Sequence, residues 1–166
     1  LINPFEHPRV FSDDQVAAIH VAALTLLENH GMKVLSAKGR QRYAQFTNET
    51  GGILDDLMDA NFGDHLFLVV NAACKAEDEA HLRKHLSDAC DIEPLTDRAL
   101  IALQGPKAEA VLSKHAEGIA GMTFMDAGPR KVMGLDCFVS RSGYTGEDGF
   151  EISAPARDAE ALAKTL

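Results

Sequence analysis

The sequence predicts an α+β fold: a mixed sheet with packed helices, preceded by an N-terminal amphipathic helix. Short β-branched or aromatic runs sit between turns rich in Gly, Asn and Asp, which is the pattern of strands. Other stretches repeat their apolar residues at helical spacing behind capping residues. The two kinds are interleaved without the strict alternation of a doubly wound sheet, and this favours α+β over α/β.

Residues 1–11 are extended and punctuated by Pro4 and Pro8. Ser12-Asp13-Asp14-Gln15 then forms a capping box with acids in the first turn, which suit the positive end of a helix. Val16, Ile19, Ala23 and Leu26 or Leu27 follow on one face, and Gly31 provides the stop. His20 and His30 on this helix read as polar-face residues. A short strand at 32–35 and a basic connector at 36–42 lead into three strands, at 43–47, 53–58 and 65–71. Gly51-Gly52 and Asn61-Phe62-Gly63-Asp64 supply the turns between them.

A helix is expected over 75–89, with Leu82, Leu86 and Ala89 on its buried face and a Glu79–Arg83 pair one turn apart. His81 and His85 share that helix at i,i+4, but the acid of a zinc-protease motif does not follow His81, so they read as surface residues. A strand at 99–103 runs into Gly105-Pro106, with Pro106 suited to the first position of a helix carrying Ala108, Val111, Leu112 and His115. Residues 118–130 read as loop, with Met122, Phe124 and Met125 as core, and 132–141 as a strand. A glycine-rich loop at 143–149 and a strand at 150–153 close a hairpin, and a last helix begins near Asp158. That helix is cut short by the end of the sequence, which begins with Leu, so the chain reads as a fragment.

Composition narrows the function. With 166 residues, 46% of them hydrophobic and 25% charged, the chain has the make-up of a globular protein with one core. A net charge of −9 argues against a general binder of nucleic acid or of an anionic membrane. No apolar run approaches the ~20 residues of a membrane helix. Cys74, Cys90 and Cys137 are widely spaced, which suggests reduced thiols rather than a zinc site or a disulfide framework, and a cytoplasmic location.

Two stretches carry candidate chemistry. In Gly51-Gly52-Ile53-Leu54-Asp55-Asp56-Leu57 a strand would send the two acids to opposite faces, so one can meet a site while the other holds the turn. Gly143-Tyr144-Thr145-Gly146-Glu147-Asp148-Gly149 is neither a phosphate loop nor a dinucleotide fingerprint. It is either a hairpin loop held by its own turns or a close-approach loop. In the second case Tyr144 would pack on a flat ligand, and Glu151 would accept hydrogen bonds from an amino-amide heterocycle such as a pterin or guanine.

Six ordered blocks resemble the glycine cleavage system T protein, an aminomethyltransferase. They are Arg40-Gln-Arg-Tyr43, Phe46-Thr-Asn-Glu49, Gly51-Gly-Ile-Leu-Asp-Asp-Leu57, Val69-Val-Asn-Ala-Ala73, Ala99-Leu-Ile-Ala-Leu-Gln-Gly-Pro106 and Ser140-Arg-Ser-Gly-Tyr-Thr-Gly-Glu-Asp-Gly-Phe-Glu-Ile152. The resemblance covers about residues 39–166 and implies part of a folate-binding domain. It also implies an enzyme that takes the aminomethyl group from the lipoyl arm of the H protein, passes the one-carbon unit to tetrahydrofolate and releases ammonia. By motif, Asp56 is the implied catalytic carboxylate, and Tyr43, Asn71, Tyr144 and Glu151 the implied folate contacts. The partners are then lipoylated H protein and folate, with no metal, nucleic acid or membrane. The reactive thiol belongs to the H protein's lipoyl arm, so no cysteine of this chain need be catalytic.

Residues 1–38 form a separate segment in this reading. Asn3-Pro-Phe5, Phe11-Ser-Asp-Asp-Gln-Val16 and Gly31-Met-Lys-Val34 are similar to the N terminus of trimethylamine methyltransferase-like proteins, whose barrel is missing here. A join between two one-carbon proteins is expected near residues 36–40. By this resemblance the family's first strands and its C-terminal barrel are expected to lie outside these residues, which leaves a non-catalytic folate-binding module, or a related folate-dependent demethylase, as rival expectations.

Overall fold

The structure is a computed structural model that describes residues 41–166, together with Ser12 and Asp14. The expected amphipathic helix and the join near residues 36–40 lie outside the described residues. What is described is an α+β domain, as the sequence leads one to expect, with its strands in two antiparallel sheets.

The first sheet has the order β1-β2-β3, from Gln41–Thr47, Ile53–Asn61 and Leu66–Val69. Its β1–β2 turn is built by Asn48, whose Oδ1 accepts from the backbone N–H groups of Thr50 (3.0 Å) and Gly52 (2.8 Å). Gly51 takes a φ of +81° there, which a side chain would strain. A register shift between Phe46 and Thr47 leaves Leu54 without a cross-strand partner and sets the phase of β2. From there Asp55 and Leu57 point to one face, and Asp56, Met58 and Ala60 to the other.

The second sheet has the order β4-β7-β6-β5, from Arg98–Gln104, Gly149–Pro155, Leu135–Ser140 and Ala127–Val132. One face carries the apolar core: Phe150, Ile152 and Ala154 of β7 and Val139 of β6 pack with Leu112, Ile119 and Leu162. Leu112 lies on α2 (Ala108–Leu112) and Leu162 on α3 (Ala159–Thr165), while α1 (Lys75–Leu86) follows the first sheet.

Several expected boundaries move. The single strand expected at 132–141 is a hairpin, β5–β6, turned by Met133 (φ 53°) and Gly134 (φ 81°). That pair of left-handed residues makes a two-residue turn of the kind usually signalled by Asn-Gly, so the loop assigned to 118–130 hid the strand Ala127–Val132. Pro106 sits in the turn ahead of α2, which is capped by Lys107, because Ala108 N–H bonds back to Gly105 O (2.9 Å). The apolar face assigned to 75–89 is not buried: α1 stops at Leu86, which is exposed, and its one buried residue is Asp78.

The two sheets meet through aromatic rings. Phe138 of β6 lies 4.3 Å from Phe67 of β3 and 5.1 Å from Phe62, centroid to centroid. Such pairs contribute about 0.5–1.5 kcal/mol beyond the area they bury. A double-mutant cycle of Phe67→Leu and Phe138→Leu, read by urea denaturation, is therefore expected to give a coupling of about 0.5–1.5 kcal/mol. Additive losses would show that the rings do not hold the sheets together.

Candidate functional site

The register decides which residues face one another across the sheets. Paired residues of antiparallel strands share a face. Phe67 pairs with Ala60, so the face of the first sheet turned toward Phe138 is the one that carries Ala60, Met58 and Asp56. On the second sheet Phe138 pairs with Ser153 and Ser140 with Glu151, so Glu151 shares the face of Phe138. Asp56 and Glu151 thus stand on the two facing sides, linked by the aromatic contact. Tyr43 pairs with Met58 on β1.

On the first sheet one amide organises the acids. Asn71 Nδ2 donates to Asp55 Oδ1 (2.9 Å) and to the backbone oxygen of Asp56 (2.8 Å), and lies 3.4 Å from Asp56 Oδ1. Asp55 is 8% exposed, whereas Asp56 is open to solvent. The Asn71 hydrogen bond holds the Asp55 carboxyl below the usual carboxylate range. Beyond Asn71 the chain turns into α1: Cys74 N–H bonds to Asn71 O (3.0 Å), and Asp78 N–H bonds to Cys74 O (2.9 Å).

Helix α1 covers the other face of β2. His81 touches Phe46, the cross-strand partner of Asp55, at 5.3 Å between rings. One turn earlier Asp78 meets Asp55. Asp78 is 4% exposed, and burial first, then Asp55, pushes its carboxyl up to about 6. Burial likewise raises the Cys74 and Cys137 thiols, which keeps them protonated and poor nucleophiles.

On the second sheet Glu151 is half-buried and accepts from Ser142 Oγ (3.0 Å), which in turn meets Ser140 Oγ (2.9 Å). The loop between β6 and β7 presents Tyr144, 65% exposed, and two long side chains fix its base. Arg141 reaches Asp148 through Nε (2.9 Å) and Nη2 (2.5 Å), Glu109 through Nη1 (2.7 Å), and stacks on Phe150. Asp148's carboxyl is held below its ordinary value by Arg141. Gln104 Nε2 donates to the backbone oxygens of Ser142 (2.9 Å) and Phe150 (3.2 Å). A Cβ at Gly143 or at Gly149 would come within 2.2 Å of Gln104 Oε1, so both glycines make room for this amide.

Of the residues singled out by sequence, the structure brings Asp56 and Asn71 into contact and places Glu151 on the facing side, with Tyr144 on the adjoining loop. Sequence reasoning passed over Asp78, Gln104 and Arg141. Only Gln104 and Arg141 fell inside the motif blocks, and no local pattern sets position 78 beside position 55. Among the described residues no three His, Cys, Asp or Glu side chains gather as metal ligands, and no helix is long and apolar enough to cross a membrane.

The architecture matches that of a solved T protein. The aminomethyltransferase of the glycine cleavage system from Bartonella henselae superposes with a TM-score of 0.64 at 41% identity, over 79% of this chain and 36% of that one. The family model described as the GCVT N-terminal domain matches residues 22–166, and the chain belongs to that family. Its match begins inside the segment whose residues resemble trimethylamine methyltransferase-like proteins.

Among relatives, the mitochondrial aminomethyltransferase of Dictyostelium discoideum is 43% identical over 136 residues, 76% of this chain and 34% of its own length. That of Mus musculus is 43% identical over 129 residues, 73% and 32%. The chain therefore spans about a third of the relatives it matches. Their names assign these relatives to mitochondria, which overturns the expected cytoplasmic location. Widely spaced free thiols and an acidic charge, on which that expectation stood, do not separate one reducing compartment from another.

The Gln104 contacts predict a non-additive cycle. Gly149→Ala expels the amide and Gln104→Ala deletes it, each costing about 1–3 kcal/mol for the carbonyls left unpaired. The double variant is expected to cost little more than either single change in urea denaturation, while full additivity would refute the shared contact.

Proposed function

We propose that this chain is the folate-binding part of an aminomethyltransferase of the glycine cleavage system. In the complete enzyme the one-carbon unit passes from the aminomethyl-lipoyl arm of the H protein to tetrahydrofolate, and ammonia is released. The observation that carries the reading is the placing of two carboxylates, Asp56 and Glu151, on facing sides of two sheets.

The side chains suit a reduced pterin. Glu151, with Oε2 fixed by Ser142, presents a carboxylate to the amino-amide edge of a heterocycle, for which paired N–H···O bonds are the natural recognition. Tyr144, exposed on its loop, offers a ring face. Tetrahydrofolate supplies the nitrogen nucleophile that takes up the one-carbon unit. Asp56 is accessible and its strand is pinned by Asn71, so its carboxylate can orient that amine and take its proton as charge develops. The raised thiols of Cys74 and Cys137 fit a reaction in which the sulfur comes from the lipoyl arm.

In a full-length parent enzyme, Asp56→Asn is expected to abolish transfer while leaving folate binding largely intact. Calorimetry with tetrahydrofolate and ammonia release from loaded H protein measure the two separately. Loss of both together would make Asp56 an affinity or structural residue. Glu151→Ala is expected to weaken folate binding by about 1–3 kcal/mol, and an unchanged Kd would remove Glu151 from the site. Folate binding by the native chain without any ammonia release in the parent would favour a non-catalytic module.

A further inference from the structure

Helix α1 buries one residue, and that residue is an acid. Asp78 Oδ2 and Asp55 Oδ2 are both buried, and no protein N–H or O–H donates to either of them. Two ionised carboxylates would not sit together in that state, since each would need a donor and would repel the other. The two side chains nevertheless lie in hydrogen-bonding contact. A proton between them supplies the missing donor: Asp78 as the acid, Asp55 as the acceptor.

We propose that Asp78 is a positioning residue, which shares a proton with Asp55 and through Asp55 holds the Asn71 amide against Asp56. Its place in the reaction rests on the role proposed for Asp56 above. The chain of contacts is short. Asp78 bonds Asp55, Asp55 Oδ1 accepts from Asn71 Nδ2, and the same Nδ2 donates to the backbone of Asp56. Losing the proton turns the first link from attraction to repulsion and frees Asp55 to move, and Asn71 with it. The groups that face Asp78 on its own helix and on β2 are Asp55, Glu77 and His81, of which His81 alone favours the charged form, and Cys74 at the helix start stands beside both acids with its side chain hydrogen-bonded to Asp55.

The pH dependence follows in sign. Asp78 lies above the ordinary aspartate value of 3.8, so its contribution to stability is present at low pH and lost as pH rises through about 6. Asp55 lies below 3.8, so its contribution is lost only as pH falls below that value. The two contributions therefore overlap most near 3.8, with that of Asp78 declining from there to about 6 and that of Asp55 declining below 3.8.

Carbon-13 NMR of the carboxyl groups in the native chain is expected to show Asp78 titrating near 6, apart from the exposed aspartates. In Asp78→Asn the side-chain amide donates to Asp55 without titrating. Urea denaturation should then show the native chain losing stability relative to this variant as pH rises from 3.8 to about 6, with the Asn71 amide signals preserved. In Asp78→Leu the Asn71 amide protons should exchange with water on the order of tenfold faster. An Asp78 that titrates with the surface acids, a stability difference flat with pH, or Asn71 signals untouched by Asp78→Leu would each overturn the proposal. None of these readouts involves folate, so failure of the native chain to bind tetrahydrofolate would count against the proposed function and not against the shared proton.

Discussion

The contact described between the two sheets depends on Phe138. Its ring is the contact through which β6 meets Phe62 and Phe67, and it decides which face of each sheet looks inward. Once that is set, the pleat leaves little freedom. Ala60, Met58 and Asp56 follow one another on the inner face of β2, and Ser153 and Glu151 on that of β7. A shift of one residue in either register would exchange Asp56 for the buried Asp55, or Glu151 for the core residue Ile152. The bulge at Leu54, beside the Asn48 turn, is the local device that sets this phase in the first sheet.

Around that frame each sheet fixes its candidate site residues differently. The second sheet uses long side chains that bridge loop and strand. Arg141 spans Asp148 and Glu109 over the Phe150 ring, and Gln104 fills the space left by two glycines. Surface ion pairs are individually weak, but Arg141 is mostly buried and its contacts with Asp148 are bidentate, the geometry in which such a pair counts. The first sheet relies on one amide and two buried carboxyls, a cheaper arrangement in residues and a more exacting one in protonation.

Much of this was legible in the sequence. The turn residues at Gly51-Gly52 and the alternation after Ile53 placed β2 and separated the two acids, and the order of elements gave α+β. The motif blocks led to Asp56, Asn71 and Glu151, of which the first two touch. What could not be read was long-range or lacked its usual signal. Met133-Gly134 makes a tight turn without Asn or Asp, so one strand went unseen. Leu82, Leu86 and Ala89 mimic an apolar helix face, yet α1 buries Asp78 instead, because its docking surface offers the Asp55 carboxyl of β2 as well as the Phe46 ring of β1. Hydrophobic spacing assumes a wholly apolar partner surface, and here that surface carries a carboxyl among its apolar groups.

The paired acids at 55 and 56 show how a strand divides labour between neighbours of the same type. Asp55 is turned outward under α1, where burial and a second acid would normally make a carboxylate costly; the Asn71 hydrogen bond offsets that cost and keeps it low in its titration. Asp56, one residue on and across the sheet, keeps its carboxylate in solvent while its backbone is held by the same amide. Rigidity and accessibility are opposing demands on a single side chain, since the contacts that immobilise a carboxylate also cover it. Anchoring the neighbour and the main chain closely, at 2.9 and 2.8 Å, and the side chain itself only through a long 3.4 Å contact, serves both, because successive residues of a strand face opposite ways.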